Sequence, residues 1–209
     1  GGNRVNGIRI LLVDDNPSAR ALLAAEPARA VIQLHGSFAK TYKGHGTDKA
    51  IIAGIMGMAP DDERIRRAPE LAAAAHLAVT IETVELDGAH PNTARILLWD
   101  AAGRTVTVQG ASVGGGNILI TSVNGMEVQI TGQYTTLIVL HRDTPGTIAA
   151  VADVLAAHGV NICNFRLARR EKGGVAVMTI ELDGSFESKL NREVEALPNI
   201  LSSTMLQPI

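Results

Sequence analysis

From about Tyr134 to its last residue the chain follows one regular pattern, and that pattern limits its fold more than any other feature. "YTTLIVLH" reads as a strand. "TPGTIAAVADVLAAHG" reads as a helix, with apolar residues at helical spacing, Pro145 near its start and Gly159 just past its end. "VNICNFRLARR" is again a strand, "EKGG" a turn and "VAVMTIELDG" a strand. "SFESKLNREVEAL" has the pattern of an amphipathic helix, and "NILSSTMLQPI" closes the series as a strand. The order β-α-β-β-α-β is the split βαβ, or ferredoxin-like, arrangement. Many unrelated functions use it, so the pattern predicts architecture and leaves activity open.

The preceding part, to about Thr131, mixes helical and extended patterns. Residues 10–13 read as a strand, Asn16 before Pro17 as a helix start, and residues 19–26 as the helix that follows. Residues 31–34 read as a strand, "KAIIAGIMGM" as a helix whose glycines allow close packing, and "LAVTIETVEL" as a strand rich in β-branched residues. "NTARILLWDAAGRTVTVQGAS" gives two strands about a turn at residues 101–104. Two further β-rich runs flank Asn124-Gly125, a pair suited to a type I′ hairpin turn. The predicted class is therefore α/β (α+β). A mixed α/β domain spans residues 1–131, and the ferredoxin-like domain spans 134–209.

Hydrophobic residues make up 46% of the 209 and charged residues 19%, a globular rather than a disordered composition. Nineteen basic and 21 acidic residues leave a formal net charge of -2, without the clustered basic charge of a nucleic-acid surface. No apolar run approaches the roughly 20 residues of a membrane span, and the opening lacks a secretory pattern. The expectation is a cytoplasmic protein with neither nucleic acid nor membrane as a partner. The stretch "ILLVDDNPSARALL" delivers Asp14 and Asp15 from an apolar strand, as the phosphate-accepting Mg²⁺ site of a response-regulator receiver does. Such a site needs further oxygen ligands to converge. The next acidic pair, Asp61 and Asp62, follows a Gly/Met-rich helical run and a proline instead of a strand. The first pair therefore reads as turn residues between a strand and a helix.

"GSFAKTYKGHGTDKA", residues 36–50, reads as a loop that gathers lysines, glycines, a histidine and an aspartate. Gly44 and Gly46 around His45 would let the backbone approach a ligand. Lys43 can hold a carboxylate, and His45 can accept a proton near neutral pH. The bland alternative is a solvated turn before a helix capped by Thr47 or Asp48, and the residues alone leave both open.

Taken in order, "GSFAKTYKGHGTDKA", "ELDGAHPNTARI" and "GASVGGGNILI" resemble the β subunit of the bacterial iron-sulfur-dependent L-serine dehydratases (L-serine ammonia-lyases), over the chain from about Ala19 onward. The resemblance implies an allosteric-substrate-binding domain, also found in some phosphoglycerate dehydrogenases, followed by an ACT domain. It implies catalytic roles for His45, His90 and Asn92, and substrate-binding roles for Lys43, Gly44, Gly46, Thr47, Asp48, Gly114, Gly115 and Gly116. Dehydrating serine needs a base for the Cα proton and a Lewis acid for the departing hydroxide. In the family that acid is a [4Fe-4S] cluster, and the products are pyruvate and ammonia. One cysteine, Cys163, cannot ligate such a cluster. The resemblance therefore implies that a separate α subunit carries it, that this chain holds no metal, and that it is inactive alone. The Ser/His-rich segment with which the family usually opens is replaced here by "GGNRVNGIRILLVDDNPS".

"GASVGGGN" is neither G-x-G-x-x-G nor a P-loop. It is either a backbone nest for a small anion or a plain strand connection. "LHRDTPGTI" resembles the ACT ligand loop, where Pro145 and Gly146 would offer backbone N–H groups to an amino-acid carboxylate. His141 and Asp143 stand where that family often has H-x-N, Asp143 suiting an ammonium group, with Asn161 across a dimer groove. The implied ligand is an amino acid such as L-serine and the implied assembly a homo-oligomer, unless the module serves association alone. "RLARREKGGV" reads as a solvated basic hairpin, and Cys163 as a buried small hydrophobe. The competing function is a stand-alone amino-acid-sensing module, similar to the C-terminal region of a phosphoglycerate dehydrogenase.

Overall fold

The computed structural model describes residues 26–59, 61–115, 117–184, 186 and 188–208. The strand and helix read within residues 10–25, the carboxylates Asp14 and Asp15, and Gly116 lie outside the described residues. Two compact units divide between Gly125 and Met126.

The first unit carries β1 (Pro27–His35), β2 (Ala78–Val84), β3 (Thr93–Asp100), β4 (Thr105–Gly114) and β5 (Asn117–Val123), and β6 (Met126–Ile130), just past the division, completes a six-stranded sheet. Its strand order is β2-β1-β3-β4-β5-β6. β1 and β2 are parallel, and a parallel pair needs a long crossover. That crossover carries α1 (Gly36–His45), α2 (Thr47–Ile55), a 3₁₀ helix (Glu63–Arg67) and α3 (Ala68–Ala74). The period-two pattern of β3 buries Ala94, Ile96 and Leu98. Ile96 stands between Ile32 and Val108, and Leu98 between Ala30 and Val106. Phe38, Ile51, Ile52 and Ile55 of the crossover helices are buried as well. Asn124 and Gly125 take φ values of 50° and 74°, the positive φ that a type I′ turn requires at both positions.

Residues 36–50 are not the loop that their glycines and polar side chains predict. Phe38 and Tyr42, one helical turn apart, share a face, and Phe38 is buried. α1 lies against β1, β2 and β3. Gly44 is accommodated inside α1, while Gly46, with φ 69°, ends it, its N–H donating to the Tyr42 carbonyl. The same glycine is the N-cap of α2, so neither Thr47 nor Asp48 caps that helix.

The second unit places β7 (Thr135–Arg142), α4 (Thr147–Ala157), β8 (Ile162–Arg169), β9 (Val175–Leu182), α5 (Ser188–Glu195) and β10 (Ile200–Leu206) in the predicted order. The sheet runs β10-β7-β9-β8. β7 and β8 are each antiparallel to β9, so they are parallel to one another with β9 between them. Leu137, Val139, Met178, Ile180 and Met205 of the sheet pack with Val151 and Leu155 of α4 and with Leu190 and Val194 of α5. Each such burial contributes roughly 1.5–3 kcal/mol before the entropy of ordering the chain is set against it. Cys163 is exposed, contrary to the buried position its apolar strand predicts. β8 is an edge strand, and nearly all of its residues face solvent in the single chain. No helix among the described residues is long and apolar enough to cross a membrane.

Candidate functional site

β1 ends on His35, and Gly36, with φ 58°, turns the chain into α1. A Cβ on Gly36 would lie 2.6 Å from the Pro91 carbonyl oxygen, so this close approach admits only glycine. The Ser37 N–H donates to that same oxygen at 2.8 Å. Beside it, the Leu86 N–H donates to His35 Nδ1 at 3.1 Å. The loop of residues 85–92 is thereby fastened at two points to the start of α1. From the other side the Ser112 N–H of β4 donates to the Asn92 carbonyl at 3.0 Å. Three stretches that lie far apart in sequence, at 36–37, 86–92 and 112, thus meet on one loop.

Within that loop the Asn92 N–H donates to His90 Nδ1 at 3.1 Å, and Thr93 Oγ1 donates to the His90 carbonyl at 2.7 Å. A ring nitrogen that accepts an N–H carries no proton, so neutral His35 and His90 each hold theirs on Nε2. His90 is exposed and offers that Nε2–H outward, while Asn92 is half-buried beside it. His35 and Gly36 escape the sequence reading. The signal for Gly36 is only a glycine between a strand and a helix, and nothing local marks the partner of His35.

His45 lies at the other end of α1. Nine residues at 1.5 Å each put about 13 Å of helix between it and Gly36. The chain therefore gathers His90 and Asn92 at the start of α1 and leaves His45 at its finish. Lys43, Gly44 and His45 are exposed, and the Lys43 ammonium suits the negative end of the helix. Across Gly46 the polarity reverses. Thr47 is 3% exposed, and neither its Oγ1 nor the buried Oδ1 of Asp48 has a hydrogen-bond partner among the described residues. Gly114 and Gly115, with φ 96° and 63°, belong to the tight connection between β4 and β5, where Gly114 pairs with Asn117. The Asn117 side-chain amide donates to the Gly114 carbonyl at 3.2 Å.

In the second unit His141 is 2% exposed. Its Nδ1–H donates to the Arg142 carbonyl at 2.8 Å, and its buried Nε2 has no partner among the described residues. Gly146, with φ 86°, follows Pro145 and caps α4. Asp143 is already engaged. Its Oδ2 accepts from the Gly173 N–H at 3.0 Å and from Arg169 Nη1 at 2.6 Å, and these bonds hold its carboxyl below the usual range. Arg169 of the basic hairpin is thus tied to the loop through Asp143. Asn161 donates to Asp183 Oδ2 at 2.6 Å and follows the far end of α4 from Gly146. Among the described residues no three of His, Cys, Asp and Glu converge as a metal site.

A mixed α/β unit with a fastened, histidine-bearing loop, followed by an ACT domain of split βαβ topology, defines the class of protein. Residues 15–87 match the family model described as serine dehydratase beta chain, and residues 137–202 match the AHAS small subunit-like ACT domain. The chain is 41% identical over 188 residues to a Bacillus subtilis protein named "Probable L-serine dehydratase, beta chain", covering 90% of this chain and 85% of that protein. It is 36% identical to the L-serine dehydratase beta chain of Peptoniphilus asaccharolyticus, over 78% of this chain and 73% of that one. Over 82 residues it is 34% identical to a D-3-phosphoglycerate dehydrogenase of Methanocaldococcus jannaschii, which is 39% of this chain and 16% of that protein. The chain belongs to the L-serine dehydratase β-chain family.

Proposed function

We propose that this chain is the β subunit of an iron-sulfur-dependent L-serine dehydratase, a cytoplasmic lyase that deaminates L-serine to pyruvate and ammonia together with a cluster-bearing α subunit. The observation that carries the reading is the meeting of three separate stretches on the loop that bears His90 and Asn92. A loop fastened by Gly36, Ser37, His35 and Ser112 holds its side chains in one geometry, which is what positioning a substrate demands.

The reaction removes the Cα proton of serine, turns the C–H electron pair into a Cα=Cβ bond and expels hydroxide, which leaves as water. The aminoacrylate tautomerises to an imine, and water hydrolyses the imine to pyruvate and ammonia. In this reading His45 accepts the Cα proton, since its ring is exposed and unengaged among the described residues. His90 donates its Nε2–H to the substrate, with the Asn92 amide alongside. Lys43 faces the substrate carboxylate, and Gly44, Gly46, Thr47 and Asp48, with Gly114, Gly115 and Gly116, complete the binding surface. The length of α1 between His45 and the His90 loop leaves the site open within one chain, in keeping with a chain that is inactive until its partner completes it. The donors of this chain do not fit an iron-sulfur cluster, because its one thiol stands alone on β8. The Lewis acid for hydroxide departure therefore belongs to the α subunit.

The functional domains are taken as residues 1–131 and 134–209. The loop of His141, Asp143, Pro145 and Gly146, with Asn161 from a second copy, would form the regulatory amino-acid site. Ile162, Phe165 and Leu167, exposed on β8, support pairing of that edge strand with another copy. A second reading, a stand-alone amino-acid sensor, is supported by the partial identity to a phosphoglycerate dehydrogenase and by the His141 Nε2, which has no partner among the described residues.

The test is anaerobic co-expression with an α-type iron-sulfur partner, measuring pyruvate from L-serine with His45 intact and as His45→Ala. Turnover that needs both chains and falls by at least a hundredfold in the variant supports the reading. No association and no turnover, with serine still bound by the lone chain, supports the sensor instead.

A further inference from the structure

The Nδ1 atom of His35 stands over three successive residues at the end of β2, and they make opposite demands on it. The Leu86 N–H, 3.1 Å away, needs an acceptor. The Val84 carbonyl at 3.4 Å and the Glu85 carboxylate at 3.6 Å need a proton. One nitrogen cannot serve both kinds at once. In the neutral ring the Nδ1 lone pair takes the Leu86 N–H, the shortest of the three contacts. In the imidazolium Nδ1 carries a proton, which repels that N–H and turns to the two oxygens. The His35 side chain is 12% exposed and that of Glu85 90%, so it is the carboxylate that can swing to meet the proton.

What the Leu86 bond fixes reaches His90. The Leu86 carbonyl accepts from the Ala89 N–H at 3.1 Å, which closes the turn immediately before His90. Losing the Leu86 anchor frees that turn and leaves the bonds of Ser37 to Pro91 and of Ser112 to Asn92 to hold the loop at its far end. Glu85 is the only carboxylate in ion-pair contact with the His35 ring among the described residues. Glu82 and Arg95 flank Gln33, two residues back on the same face of β1, and are bonded to Gln33 and Gln109. α1 carries Lys40 and Lys43 a turn or more beyond Gly36, and Asp87 and His90 belong to the loop itself.

We propose that His35 is a proton-operated latch on the loop of residues 85–92, closed on Leu86 when the ring is neutral and open when it is protonated. It is thereby a positioning residue for His90 and Asn92. The consequence for turnover rests on the dehydratase reading, in which those two side chains meet the substrate, whereas the latch itself is a property of this chain.

The experiment is amide hydrogen exchange and NMR of the full chain between about pH 5 and 8, where imidazoles change charge. It is run in the His90→Asn background, so that the exposed ring on the loop does not titrate. The expected result is that Leu86, after correction for its intrinsic rate, exchanges about tenfold faster at the acid end, the worth of one hydrogen bond. Its amide shift should follow the same midpoint as the His35 ring protons. His35→Asn places an amide oxygen near the position of Nδ1, an acceptor that does not titrate, and should keep Leu86 protected across the range. His35→Ala should leave it unprotected throughout. A Leu86 amide indifferent to pH, or one whose pH dependence persists in His35→Asn, overturns the proposal. If His35→Asn fails to fold, separate midpoints for Leu86 and the His35 ring still overturn it. In the two-chain complex, with His90 intact, the acid limb of kcat/KM should differ between His35→Asn and the parent chain. Identical limbs defeat the positioning role. A latch seen by NMR in a complex that forms no pyruvate upholds this inference and defeats the dehydratase reading alone.

Discussion

Replacing Gly36 by alanine tests whether the loop at residues 85–92 is fastened as described. The new methyl would lie 2.6 Å from the Pro91 carbonyl oxygen and 2.9 Å from its Cα, both backbone atoms that cannot swing aside. The loop would have to retreat by up to about 0.8 Å to restore ordinary contact. That retreat stretches the 2.8 Å bond from the Ser37 N–H, a loss of roughly 1 kcal/mol. Holding alanine at φ 58° adds roughly 1–2 kcal/mol. A total of about 2–3 kcal/mol lowers the melting temperature by on the order of 10 °C. In the two-chain complex a displacement approaching 1 Å at His90 and Asn92 is expected to cost roughly a hundredfold in kcat. Gly44 is the internal control. It is helical, and a Cβ there meets nothing within 4 Å. Gly44→Ala should therefore stabilise the chain by roughly 0.5–1 kcal/mol. The assays are thermal melts of both variants and L-serine turnover with an α partner. Equal melting temperatures for Gly36→Ala and the parent chain would refute the steric argument.

Two further outcomes follow from the same geometry. The Arg64 side chain and the Arg64 N–H hold the Asp62 carboxyl at about 2 against the ordinary 3.8. The folded value is the lower one, so this contribution is complete above about pH 4 and is lost as pH falls toward 2. Asp62→Asn should flatten that part of an acid-unfolding curve followed by circular dichroism, and an unaltered curve counts against the linkage. On β8, Phe165→Glu should give a monomer by light scattering with little change in melting temperature, since Phe165 is already 39% exposed in the single chain. An oligomer that survives the change would exclude β8 as the interface.

Local pattern carried much of the architecture. The second unit was legible because strand and helix periodicities, with Pro145 and Gly159 as punctuation, are properties of neighbouring residues. Asn124-Gly125 fixed its hairpin for the same reason. The stretch at residues 36–50 misled, because its glycines signal a turn while the burial of Phe38 and the contact with three strands favour a helix. The i, i+4 pair Phe38 and Tyr42 is the signal that could have found it.

What the sequence determined by itself was the order and kind of most elements, together with the motifs that identify the family. Only the tertiary structure decided which of those motifs touch. His35 meets Leu86 and Gly36 meets Pro91 across about fifty intervening residues, and no local propensity encodes such a pairing. It likewise decided that Cys163 is exposed, because exposure on β8 depends on the strand's place at the edge of the sheet, and strand order is set by long-range pairing. The orphaned Oδ1 of Asp48 belongs to the same category. A side chain lacks a partner only with respect to everything folded around it.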